Sequence, residues 1–138
     1  MDREEFSRFR KILGRTQKQM AQLLATSLKA IHSYEQGWRT IPAHVERQMF
    51  FLMARKIKDP ALKKACWTVT KCPDKRKRAC PAWEFKSGET CWFVNGTVCE
   101  GNIHPTWQQK MDVCRTCPVF ETLLAAIQNE ESSRESAV

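Results

Sequence analysis

Apolar residues at Phe6, Phe9, Ile12 and Leu13 recur at the spacing of one helix face. Asp2 stands where an N-cap belongs, and Gly14 where a helix stops. Thr16-Gln17-Lys18-Gln19 has the form of a capping box, in which Thr16 caps and Gln19 reaches back. It predicts a second helix over 17–24 that buries Met20, Ala21 and Leu24. Ala25 and Thr26 form a tight turn, and Ser27 caps a third helix over 28–36. That helix buries Ile31 and Tyr34, and Gly37 ends it. Pro42 suits the first turn of a fourth helix reaching Lys56, with Val45, Met49, Leu52 and Met53 on its core face and Phe50 and Phe51 beyond it.

The pattern breaks at Lys58-Asp59-Pro60, and residues 57–65 read as a short, basic, proline-containing linker. Residues 66–128 read as a cysteine-rich, irregular module with a C-terminal helix. The polar, small-residue stretch 129–138 is expected to be disordered. The expected fold is therefore mainly α: a helical bundle over 1–56, then a small metal-stapled domain.

Charge and cysteine content divide the chain at the same place. The 138 residues carry a net charge of +8. Residues 1–65 hold 14 Lys/Arg against 6 Asp/Glu, and residues 66–138 hold 9 of each, so the whole excess lies in the first half. All seven cysteines lie between Cys66 and Cys117. A basic half suggests a polyanion partner. A cysteine-dense half with few residues suggests a covalent or metal staple, because it cannot build a large core. The longest apolar run, 49–54, is far short of the ~20 residues that cross a bilayer, and the charged start leads into no apolar segment of a secretory signal. The expectation is a cytoplasmic protein that does not enter the membrane.

Two short helices, a tight turn, a small Ala21 at their crossing and a basic surface make a helix-turn-helix the expected unit. Thr16 to Leu24, then Ser27, Ile31, Tyr34-Glu35-Gln36-Gly37 and Pro42, resemble the phage-repressor, or Cro/XRE, type of DNA-binding domain over about residues 4–56. The turn residue departs from that pattern, with Ala25 where the family prefers glycine, and the family's fifth helix is short or missing. The resemblance implies double-stranded DNA as partner, a homodimer on two half-sites, and a recognition helix over 28–36. Leu28, Lys29 and His32 would face base edges. Gln17, Lys18, Ser33, Trp38 and Arg39 would meet phosphates. Glu35 reads as structural, since no partner carboxylate or His stands at a catalytic spacing.

The seven cysteines are Cys66, Cys72, Cys80, Cys91, Cys99, Cys114 and Cys117, and Cys114-Arg115-Thr116-Cys117 is the only C-x-x-C. Structural disulfides need an oxidising compartment, and the odd count leaves one thiol over. Zinc normally takes two close pairs, whereas an iron–sulfur cluster accepts scattered thiolates, often with a proline after one of them. Cys66-Trp67, Cys72, Cys80-Pro81-Ala82, the run 91–101, Lys110 and the run 114–120 resemble the two-CW domain, a small cysteine-rich module attached to signalling and regulatory proteins of anaerobic bacteria. Thr68-Val69 and the short stretch between Cys72 and Cys80 depart from its pattern.

The favoured ligand set is Cys91, Cys99, Cys114 and Cys117, which contains the C-x-x-C; Cys66, Cys72 and Cys80 are further candidates, and His104 is a possible substitute. Gly96 and Gly101 would let backbone approach a cluster closely. The expected cofactor is an iron–sulfur cluster of the 4Fe–4S type, with zinc as the alternative.

The function expected from the sequence is that of a DNA-binding transcription regulator, not an enzyme, whose cysteine module senses redox state, oxygen or metal supply. The alternatives are a DNA-binding protein with a purely structural zinc or iron–sulfur staple, and a thiol–disulfide oxidoreductase using Cys114 and Cys117.

Overall fold

The computed structural model describes residues 1–136 and is mainly helical. The chain divides into two compact units. The first comprises Met1–Ile57 together with the chain from Glu130 onward, and the second comprises Lys58–Asn129. Among the described residues no helix is long and apolar enough to cross a membrane.

Local capping chemistry sets the helices of the first unit. Helix α1 (Arg3–Ile12) begins where the Asp2 carboxylate accepts from the Glu5 N–H, at 2.8 Å. Helix α2 (Gln17–Leu23) opens on the complete capping box, with both the Thr16 and the Gln19 side chains bonded to backbone. Helix α3 (Leu28–Gln36) is capped by Ser27 and closed by Gly37, whose φ of +77° is the left-handed stop that glycine provides. Helix α4 (Ala43–Lys56) starts directly after Pro42.

The core of this unit gathers Phe6, Phe9, Met20, Ile31, Tyr34, Val45, Met49, Phe50 and Met53. Phe6 meets Tyr34 edge-on at 5.7 Å, and Phe9 meets Phe50 edge-on at 5.4 Å. Phe50 is therefore a core residue and not, as its helical position suggested, a residue beyond the core face; Leu52, expected inside, is half-buried. The apolar stripe of α4 is wide enough that the pattern leaves its centre free by one residue.

The second unit is built from short pieces. Residues 57–65 are not a bare linker: Pro60–Lys63 form a turn of 3₁₀-helix, capped by the Asp59 carboxylate, and belong to this unit from Lys58 on. Then come α5 (Cys66–Val69), α6 (Asp74–Arg78), α7 (Pro81–Glu84), a 3₁₀ stretch over Gly88–Phe93, and the antiparallel pair β1 (Val98–Cys99) and β2 (Asn102–Ile103). Glu100 and Gly101 both have positive φ, the signature of a tight hairpin turn. Helix α8 (Trp107–Cys114) is capped by Thr106, and α9 runs over Pro118–Ser136. Trp92, Met111, Phe120 and Leu123 are buried, with Trp92 edge-on to Phe120 at 5.8 Å, and Cys80, Ala82 and Cys91 pack with Cys66, Val98 and Val119.

The stretch expected to be disordered continues α9 as far as Ser136, where an Arg134–Glu130 ion pair one turn apart supports it. Residues 137 and 138 of that expectation lie outside the described residues.

Candidate metal centre and nucleic-acid face

The cysteines of the second unit sit at the ends of its elements. Cys66 opens α5, Cys80 is the N-cap of α7, and Cys91 lies in the 3₁₀ stretch. Cys99 lies in β1, and Cys114 closes α8. Cys72 and Cys117 stand just before the prolines that lead into α6 and α9. Proline tolerates the N-terminal edge of a helix and disfavours helical backbone in the residue before it, and Cys80, ahead of Pro81, has extended backbone. The turn between Cys114 and Cys117 is closed by the Cys117 N–H donating to the Cys114 carbonyl at 2.9 Å.

All seven cysteines line one cavity of about 490 Å³. Trp67, Trp83, Trp92, Val98 and Phe120 share its walls, so the thiols open onto a largely apolar space. The Cys80 sulfur accepts from the Val98 N–H at 3.4 Å, and the Cys99 thiol lies 3.6 Å from the Thr97 hydroxyl. Gly88 leaves room for Trp67: a Cβ there would stand 2.6 Å from the Trp67 ring. Trp67 in turn meets Trp83 edge-on at 5.0 Å. Behind the cavity, Lys110 is buried, with its ammonium donating to the Thr97 hydroxyl oxygen at 2.5 Å.

The thiols are not equivalent. A hydrogen bond from the Cys91 thiol draws Cys66 down to about 7 against the opposing effect of burial, with help from backbone N–H groups and the Lys110 charge. Cys91 is pushed strongly up, first because it donates to Cys66 and then by burial. Burial pushes Cys114 up to about 11 and also raises Cys72 and Cys117. For Cys117 this outweighs two N–H groups, of Val119 and Phe120, at the start of α9.

Among the described residues no group of three or more His, Cys, Asp or Glu side chains is gathered tightly enough to hold a single metal ion. His104 is not on the cavity wall, and neither are Gly96 and Gly101, whose positive φ values serve turns. The favoured set Cys91, Cys99, Cys114 and Cys117 is on the wall, and so are Cys66, Cys72 and Cys80. Sequence reading singled out neither Gly88 nor the burial of Lys110. The signals for the lysine are its place in the two-CW pattern and its spacing, four residues before Cys114 on the same face of α8.

In the first unit, Leu28, Lys29 and His32 are exposed along α3, as are Lys18, Trp38 and Arg39 nearby. Trp38 is 71% exposed and meets the His32 ring edge-on at 5.4 Å. Ser33 is buried, so its side chain does not reach that surface. Gln17 is half-buried, and its amide donates to Glu35. The Glu35 carboxylate also takes two hydrogen bonds from Arg10, at 2.5 and 3.3 Å, tying α1, α2 and α3 together. Burial works against the Glu35 charge, but the bonds from Arg10 and Gln17 and the charges of Arg10 and Lys11 outweigh it and hold the carboxyl below its usual range.

No family model, curated protein or solved structure matches this chain.

Proposed function

We propose that this protein is a cytoplasmic, homodimeric DNA-binding transcription regulator whose cysteine-lined cavity takes an iron–sulfur cluster and makes DNA binding respond to redox state, oxygen or metal supply. The observation that carries the reading is the opening of seven thiols onto one apolar-walled cavity. Thiolate sulfur is the ligand of soft metals and iron–sulfur clusters, and the wall offers no histidine. Zinc would take four of these sulfurs about 2.3 Å from one point. Seven thiols on the wall of one cavity of about 490 Å³ are in keeping with a bulkier polynuclear group. A 4Fe–4S cluster would use four of the seven, with Cys91, Cys99, Cys114 and Cys117 the favoured set. Once bound, such a cluster supplies one-electron redox chemistry, and the surrounding tryptophans limit its contact with water.

The DNA-binding half of the reading is supported by two short helices, α2 and α3, joined by a tight turn, with Leu28, Lys29 and His32 exposed on the second, as a helix-turn-helix would need. Arg39, Lys18 and Trp38 extend that exposed face. The Arg10–Glu35–Gln17 network links α1, α2 and α3 and supports a structural role for Glu35.

One observation favours a second reading, a structural staple without sensing. Helices α5, α6 and α7 have four, five and four residues, too short to be stable alone, so a metal would contribute to folding outright. The oxidoreductase reading has less support, because burial raises both Cys114 and Cys117 and a nucleophilic thiol needs the opposite.

Protein purified without oxygen is expected to be brown, to absorb broadly near ~400 nm as thiolate-bound clusters do, and to carry iron and sulfide. Stoichiometric zinc in colourless protein would replace the cluster by the staple. On an operator selected from random DNA, Lys29→Ala is expected to cost ~1–3 kcal/mol, with a smaller loss on random sequence. Absence of DNA binding in every metal state would overturn the regulatory reading.

A further inference from the structure

Lys110 is 3% exposed, in a unit whose other lysines and arginines reach solvent. Its ammonium donates to the Thr97 hydroxyl, and among the described residues no carboxylate pairs with it. A buried ammonium with one neutral partner is a poor arrangement unless negative charge lies close by. The nearby groups able to supply that charge are the cavity thiols.

Hydrogen bonding gives the arrangement a direction. An ammonium has three donors and no acceptor, so the Thr97 oxygen must accept from Lys110. Thr97 is itself 3% exposed and lines the cavity. The Cys99 sulfur stands 3.6 Å from the same hydroxyl oxygen. While Cys99 is a thiol, its S–H can donate to Thr97. Held to a metal, the Cys99 sulfur would serve as an acceptor. The Thr97 O–H can then turn and donate to Cys99, while its oxygen continues to accept from Lys110.

We propose that Lys110 and Thr97 form a positively charged, hydrogen-bonded arm that fits the cavity for an anionic, thiolate-ligated cluster and raises its reduction potential, with Cys99 among the ligands. This rests on the reading of the cavity as an iron–sulfur site. Three further observations agree with it. The Lys110 charge also bears on Cys66 and Cys91, on two other elements, and on Cys114, one turn further along its own helix, and favours their thiolate forms. Lys71, Arg76 and Lys77 line the same cavity against a single acidic residue, Glu100. Thr97 is held just ahead of Cys99 by the positive-φ turn at Gly96, which fixes the arm relative to the ligand. Lys110 is a positioning residue in this scheme, acting through Thr97 and through its field. Net charge and hydrogen bonds to sulfur are what set cluster potentials, and both change when this arm is removed.

The test uses the full chain purified without oxygen, as wild type, Lys110→Met, Lys110→Arg and Thr97→Val. Iron and sulfide per chain are measured, and each loaded protein is titrated electrochemically with its visible and paramagnetic signals as readout. Lys110→Met is expected to shift the balance of reduced to oxidised cluster at least tenfold toward oxidised, which is about 59 mV for one electron. Lys110→Arg should stay within threefold of wild type, because it restores the charge. Thr97→Val should shift the balance in the direction of Lys110→Met by at least threefold, and it decides the matter if Lys110→Met does not fold. Unchanged potentials in Lys110→Met or Thr97→Val, or equal shifts in Lys110→Met and Lys110→Arg, would overturn the proposal and leave the cluster reading standing. A wild-type protein without iron or sulfide would overturn the cluster reading itself, and the arm with it.

Discussion

Ala25 has φ +52°, a left-handed conformation in which the methyl group crowds the following carbonyl. That conformation costs an L-residue about 1–2 kcal/mol, while glycine pays instead about 0.4–1 kcal/mol through the entropy of the unfolded chain. Ala25→Gly is therefore expected to stabilise the first unit by roughly 0.5–1 kcal/mol, read as a higher urea midpoint of the α2 and α3 amide signals in NMR. An unchanged or lower midpoint would mean that the turn carries no strain. Glu35 gives a pH dependence at the same scale. Its folded carboxyl lies below the ordinary value of 4.5, so its contribution is complete above that value and is lost as pH falls through the folded one. Glu35→Gln should cost about 1–3 kcal/mol at pH 7, and the difference from wild type should shrink as the solution is acidified below 4.5. A difference constant down to pH 3 would show that the charge does not matter.

At the scale of elements, the contrast between the two units explains what the sequence revealed. Helices α1 to α4 were legible to within a residue or so because their limits are written locally, in Asp2, Thr16 with Gln19, Ser27, Gly37 and Pro42. Phe50 was misplaced because only packing against Phe9 decides which edge of a wide apolar stripe turns inward. The short helices α5 to α7 were illegible, since four or five residues contain no period to read and Lys71 and Lys86 turn the chain left-handed without a glycine to announce it. The thiol spacing suggested one C-x-x-C site; only the fold brings Cys66, Cys72 and Cys80 to the same cavity. Gly88 belongs to this class. Gly88→Ala would drive a methyl into Trp67 and into Ala65, 2.9 Å away, and is expected to cost about 1–3 kcal/mol. It should also lower the iron bound per chain, since Trp67 lines the cavity; wild-type melting and metal content in this variant would show that the contact relaxes freely.

For the whole molecule, the proposed sensor must bias two states of the DNA-binding unit, because a ligand with equal affinity for both shifts nothing. Removing the cluster, or replacing Cys114 and Cys117 together, is expected to change operator affinity by at least ~1 kcal/mol in one direction or the other, within the range of ordinary allosteric coupling. The measurement compares folded, dimeric proteins at one salt concentration, because phosphate contacts make affinity fall steeply with salt. Equal affinities would reduce the cysteine unit to a staple or docking surface. The division of the chain has a consequence for biosynthesis. The first unit is discontinuous: its last segment begins at Glu130, after the entire second unit has been traversed. A ribosome adds about 5–20 residues per second, so α1 to α4 emerge and must wait on the order of seconds for the residues that complete their unit. During that interval the cysteine-rich segment is itself emerging. Completion of the first unit thus comes after the cavity cysteines have been synthesised, and a chain ended at Asn129 would leave that unit unfinished.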